Sequence, residues 1–156
     1  MAVRPIPEGY SSVTPYLIVS SAARAIDYYK LAFGATELMR FEGPGGTIAH
    51  AELQIGNARI MLADESPQTG HKSPESLGGS GTGLMLYVED VDTVFTRAVN
   101  AGAEVTRPLQ NQFYGDRSGN LTDPFGHMWT IATHVEDVSE EEMQRRMAAS
   151  MSAHTS

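Results

Sequence analysis

Cysteine is absent from the 156 residues, which excludes disulfides, thiolate nucleophiles and any zinc or iron–sulfur centre held by cysteine. Positive charge is scarce: 11 Lys and Arg against 19 Asp and Glu leave a formal net charge of −8. Binding through nucleic-acid phosphates needs a basic footprint that releases counterions, so no nucleic-acid partner is expected. No stretch approaches the roughly 20 apolar residues that span a bilayer, and the opening MAVRPIPEG lacks the continuous apolar core of a signal peptide. A cytoplasmic chain with no membrane partner is the expectation, and 41% hydrophobic residues suffice for one substantial core.

What is present is an internal repeat. With Val19 set against Val88, an offset of 69 residues, VSSAARAIDYYKLAFGA and VEDVDTVFTRAVNAGA carry their apolar positions in one phase. Ala22, Ala25, Ile26, Tyr29 and Ala32 share a face of the first predicted helix, as Val91, Val94, Phe95, Ala98 and Ala101 do in the second. Both helices run into Gly-Ala, a stop that uses glycine's freedom at positive φ. Strand patterns precede the helices at 12–19 and 83–88 and follow them at 36–41, 47–55 and 58–63, then at 104–109, 113–121 and 128–133. Gly43 to Gly46 lacks the Lys and Ser/Thr of a phosphate loop and reads as a hairpin connection. Each half is βαβββ, so the fold class is α+β, and the halves, about 8–64 and 83–136, are expected to share one core in a single domain.

Two segments lie outside the repeat. Residues 65–82, rich in Gly, Ser and Pro, read as a mobile linker or a loop over a site, with His71 solvated. The tail, 139–156, has Ser139 and Glu142 at capping-box spacing ahead of a short helix carrying Met143, Arg146 and Met147. It either docks on the body or a second subunit, or is loosely held.

The doubled pattern around AIDYYKLAFGA resembles the vicinal oxygen chelate superfamily of glyoxalase I, bleomycin and fosfomycin resistance proteins and extradiol dioxygenases. The strings RPIPEGYSSVTPYLIV, TIAHAELQIGNARIMLADE and FYGDRSGNLTDPFGHMW are similar to its PhnB-like branch. The resemblance covers roughly residues 8–136 and implies two modules forming a curved, partly open mixed β-barrel around a cavity, often as a homodimer. It does not fix a reaction. The superfamily's metal enzymes usually place a His, Gln or Glu early in the first strand of each module and a Glu or other ligand in the last. The corresponding positions here are Thr14 and Gly83, then Met61 and Thr130. None is a good divalent-metal ligand, so no metal or other cofactor is expected.

Strand alternation places Thr14, Tyr16 and Ile18, with Met85 and Tyr87, on the face turned from the helices, an apolar and aromatic wall suited to a ligand. His50 and Glu52 alternate with Ala49, Ala51 and Leu53 and so project together. They suit a general base with its orienting partner, half of a metal site, or a solvated strand face. In FYGDRSG, Arg117 with Tyr114 and Asp116 suits bidentate capture of an anion, or else a salt bridge that fixes the loop. Asp123 to His127 reads as a tight turn that His127 orders, and Trp129 as core. The expectation is a metal-independent protein that binds a small hydrophobic or anionic compound. A lyase or isomerase-type enzyme using His50 and Glu52 is the alternative, and a ligand-free structural or interaction module is a third.

Overall fold

The computed structural model describes residues 2–154; the last two residues of the predicted tail, 155 and 156, lie outside them. The first module runs β1 (Tyr16–Val19), α1 (Ala22–Phe33), β2 (Thr36–Glu42), β3 (Ile48–Ile55) and β4 (Ala58–Asp64). A short helix α2 (Pro74–Leu77) interrupts the linker. The second module runs β5 (Gly83–Tyr87), α3 (Val91–Asn100), β6 (Glu104–Asn111), β7 (Asp116–Thr122) and β8 (Met128–His134), and α4 (Glu140–Ala153) follows it.

Each module forms a four-stranded mixed sheet with the same topology, β1-β4-β3-β2 and β5-β8-β7-β6, the first pair in each being parallel. The two sheets stay separate and do not close into a barrel. The repeat extends to the helix starts. Asp64 Oδ1 accepts the Ala22 amide at 2.8 Å, and Thr133 Oγ1 accepts the Val91 amide at 2.9 Å. These pairs lie at the same 69-residue offset, and each satisfies a helix-terminal N–H that has no partner within its helix. Gly34, at φ 67°, ends α1 in the left-handed conformation. The first strand begins at Tyr16 instead of Ser12, since Pro15 has no N–H to give a ladder, although its carbonyl still accepts from Met61 N at 2.9 Å.

The helix-facing sides of both sheets meet in one core, including Ile26, Leu53, Leu62, Phe95, Leu121 and Ile131. Aromatic rings join the modules: Phe33 lies 4.6 Å from Trp129 and Tyr29 lies 5.6 Å from it, centroid to centroid. The helices cross-brace, with Tyr28 Oη donating to Ala98 O at 3.0 Å and Arg97 Nε to Ala32 O at 3.1 Å. Asp123, buried in the β7–β8 turn, accepts from Tyr29 Oη at 2.5 Å, Trp129 Nε1 at 2.9 Å and the amides of Phe125 and His127. Burial, and then the neighbouring Asp123 carboxylate, holds the Tyr29 phenol well above its ordinary pKa, so it remains a donor.

The linker is tied down more firmly than its composition predicts. Ser73 is fully buried, its amide bonds to Glu65 Oε1 at 2.6 Å, and its hydroxyl caps α2. Pro74 packs so closely on Gly126 that a Cβ there would sit 2.7 Å from it. His71 is exposed, paired through its backbone with Ser66. At the other end, α4 has no buried residue and is held at Arg146, which reaches Glu136 at 2.8 Å and the Phe113 carbonyl at 3.1 Å.

Candidate functional site

One face of each sheet packs on α1 and α3; the other stands partly open to solvent. In module one the uncovered row across the sheet is Tyr16, Met61, Glu52 and Met39, with Phe41 paired to His50 beside it. In module two the corresponding row is Met85, Thr130, Asn120 and Arg107, with Tyr87, Ala132, Ser118 and Gln110 next to it. Large apolar side chains stand open to solvent on these faces: Tyr16 at 43%, Phe41 at 57%, Met85 at 47% and Tyr87 at 58% exposure. A soluble surface seldom groups such residues without use for them.

Tyr16, predicted on the ligand wall, and His50 and Glu52, predicted to project together, form a hydrogen-bonded chain. His50 Nε2 lies 3.0 Å from Glu52 Oε2, and its Nδ1 lies 2.8 Å from Tyr16 Oη. A carboxylate only accepts, so Nε2 carries the hydrogen, and in the neutral ring Nδ1 accepts from the phenol. Desolvation raises the Tyr16 phenol above its ordinary pKa. The arrangement can pass a proton between Tyr16 and Glu52 through the ring. Tyr16 and Met85 also line a cleft of about 680 Å³ at the seam between β1 and β5, walled on the linker side by Lys72 and Leu77. His127 lines it too, and its Nε2 bonds the Ile18 carbonyl at 2.9 Å, so this side chain ties the modules together besides belonging to its turn.

The FYGDRSG cluster is divided by the pleat. Asp116 lies on the uncovered face, buried, and accepts from Tyr87 Oη at 2.8 Å, with His134 Nδ1 also at 2.8 Å. The bond to Asp116, with lesser desolvation, raises the Tyr87 phenol. Asp116 first, then Asp137 at 2.8 Å on the other ring nitrogen, raises the His134 imidazole above 6.5. Tyr87 and His134 border a second cleft, of about 780 Å³, with Phe33, Ile55 and Glu89. Arg117 points the other way, its fork closed on Asp92 at 2.8 and 2.9 Å, which is the salt-bridge alternative for this residue. Tyr114 sits in the β6–β7 turn against Phe113, which requires Gly115 at φ 102° because a Cβ would meet the Glu136 carbonyl at 2.1 Å. Tyr114 and Arg117 are thus not brought to His50 and Glu52.

Arg107, His134, Ser118 and Asn120 are the face residues that sequence reasoning passed over. The signal was available: period two along β7 from Asp116 selects Ser118 and Asn120 and rejects Arg117. The positions that would hold the superfamily's metal do not fit one. Met61 and Thr130 occupy the β4 and β8 places on the uncovered faces, Gly83 begins β5, and Thr14 precedes β1. Among the described residues no three His, Asp or Glu side chains gather to hold a metal ion.

Comparison with known proteins agrees with this architecture. A protein of Mycobacterium tuberculosis described as uncharacterized, Rv0887c, is 46% identical over 141 residues, spanning 88% of this chain and 83% of that one. The crystal structure of TioX from Micromonospora sp. ML1 superposes with a TM-score of 0.62 at 31% identity, covering 80% of this chain and 99% of TioX. The Arabidopsis thaliana At5g48480 product superposes with a TM-score of 0.65 at 28% identity over 79% and 98%. The family model described as Glyoxalase/Bleomycin resistance protein/Dioxygenase superfamily matches residues 11–131, and the chain therefore belongs to that superfamily.

Proposed function

We propose that this chain is a metal-independent small-molecule-binding protein whose ligand, a hydrophobic or anionic compound, lies against the uncovered sheet faces. The observation that carries the reading is the pair of faces itself: apolar and aromatic side chains are exposed there, while the opposite faces are filled by helices. A second copy placing its module two over module one of the first would bury both faces and enclose a ligand. A homodimer is part of the proposal for that reason. The absence of good ligands at Met61, Thr130, Gly83 and Thr14 supports binding without a divalent metal.

The test is saturable binding of an apolar fluorophore to the native chain, with and without added zinc, manganese or magnesium, and to Phe41→Asp. The expected result is metal-independent binding lost in Phe41→Asp, whose exposed ring leaves the core intact. Binding that this variant leaves unchanged would sink the placement, and no saturable binding would sink the function.

The Tyr16–His50–Glu52 chain favours a second reading, an enzyme of lyase or isomerase type in which these groups move a proton. Turnover of a bound compound that Glu52→Gln abolishes, while binding persists, would establish it over simple sequestration.

A further inference from the structure

Arg107 is the one arginine with a buried donor that has no partner among the described residues. It shares a row of the uncovered module-two face with Asn120, Thr130 and Met85. Its Nη2 donates to Asn120 Oδ1 at 3.3 Å, and Thr130 Oγ1 donates to the same oxygen at 3.1 Å. Its Nε is buried without a partner. No carboxylate lies within ion-pair distance of it among the described residues, a condition it shares with Arg4, Arg24, Arg59 and Arg97, so the buried Nε is what sets it apart. One residue pair along β7 on the same face, the Ser118 hydroxyl is also buried with no partner. A buried donor left unmade is costly, the more so on a permanently charged group. Two such orphans on one face that also carries exposed Met85 and Tyr87 describe a place prepared for acceptor oxygens beside apolar surface.

We infer that Arg107 is the specificity residue for a small organic anion, a carboxylate or phosphonate on an apolar body. The anion takes the Nε–H and the free guanidinium edge, Asn120 holds the fork in place, and the body lies toward Met85. The inference rests on the small-molecule-binding reading and narrows it to a substrate class. The corresponding module-one position is Met39, next to Glu52, so the anion-binding half and the proton-transferring half lie in different modules.

The experiment compares two probes with one apolar body, octanoate and 1-octanol, by calorimetry at fixed ionic strength. On the native chain octanoate is expected to bind at least about tenfold more tightly, the worth of one charge-assisted contact. Arg107→Gln is expected to remove that preference with the octanol affinity unchanged, and Arg107→Lys, which keeps charge but not the fork, to restore part of it. Equal binding of both probes to the native chain overturns the inference alone, as does a preference that survives Arg107→Gln. Binding of neither probe overturns the small-molecule reading with it. If Arg107→Gln and Glu52→Gln loosen a dimer equally and leave the probes unaffected, the guanidinium serves a second copy and the inference falls.

Discussion

The two modules agree where they pack and differ where they are open. Helix starts, helix-facing residues and strand order correspond at offsets of 69 residues or one fewer, down to the Asp64 and Thr133 caps. The uncovered rows do not correspond in chemistry: Tyr16, Met61, Glu52 and Met39 stand opposite Met85, Thr130, Asn120 and Arg107. A repeated core with unlike outer faces gives one fold two kinds of surface, one carrying a phenol–imidazole–carboxylate chain and one a guanidinium without a carboxylate partner. The hairpin connecting the last two strands differs as well. Module one turns through Gly56 and Asn57 in solvent, while module two turns through Asp123 and reaches into the aromatic cluster of α1.

Those turns supply the largest expected contrast. Asp123→Ala strips the acceptor from a phenol, an indole and two amides, all buried, and should cost about 3 kcal/mol or more in denaturant unfolding. Asn57→Ala, at the matching exposed turn, should change stability by no more than about 0.5 kcal/mol. Equal effects would mean that the modules do not depend on the Asp123 junction. The helix caps should break the other way, toward likeness. Asp64→Ala, which also releases the Ile48 amide held at 2.6 Å, should cost about 1–2 kcal/mol, and Thr133→Ala about 1 kcal/mol. A difference of several-fold between them would show that the repeat is geometric without being energetic.

The repeat, the module helices α1 and α3 and the eight strands are legible in the sequence because period and glycine punctuation are local signals, whereas α4, predicted as a short helix, runs to 14 residues. So is the shared direction of His50 and Glu52, since alternation along one strand places them, whereas Tyr16 joins them only through the register of β1 on β4 and of β4 on β3. The anchoring of the linker is not legible in the sequence, because Pro74 packs on Gly126, a partner some 50 residues away that no composition rule reveals. Arg117 and Arg107 look alike as residues. Alternation along β7 turns Arg117 away from the Asp116 face, toward Asp92, but only the register of β6 on β7 shows that Arg107 faces outward beside Asn120.

That distinction gives a smaller test. Arg117→Ala removes an exposed ion pair and should change stability little, and less still as salt rises, with ligand binding untouched. A loss of binding would place Arg117 in the site after all.

The smallest effect concerns the two face histidines. His50 is bonded to a phenol and one carboxylate, whereas His134 lies between two carboxylates, Asp116 and Asp137, which raise its pKa above 6.5. A raised histidine contributes stability that is fully present below the unfolded value and is lost as pH climbs through the higher folded one. The native chain should therefore be slightly more stable at about pH 6 than at about pH 8.5, and His134→Gln should flatten that slope. The carboxylates with depressed values, among them Glu37 and Glu142 at about 2, act with the opposite sign and below 4.5, outside this window. An NMR titration separates the rings directly: His134 should titrate above 6.5, and Asp137→Asn should move its midpoint down while leaving the bond to Asp116 in place. A His134 midpoint at or below 6.5 would show that its exposure screens both carboxylates.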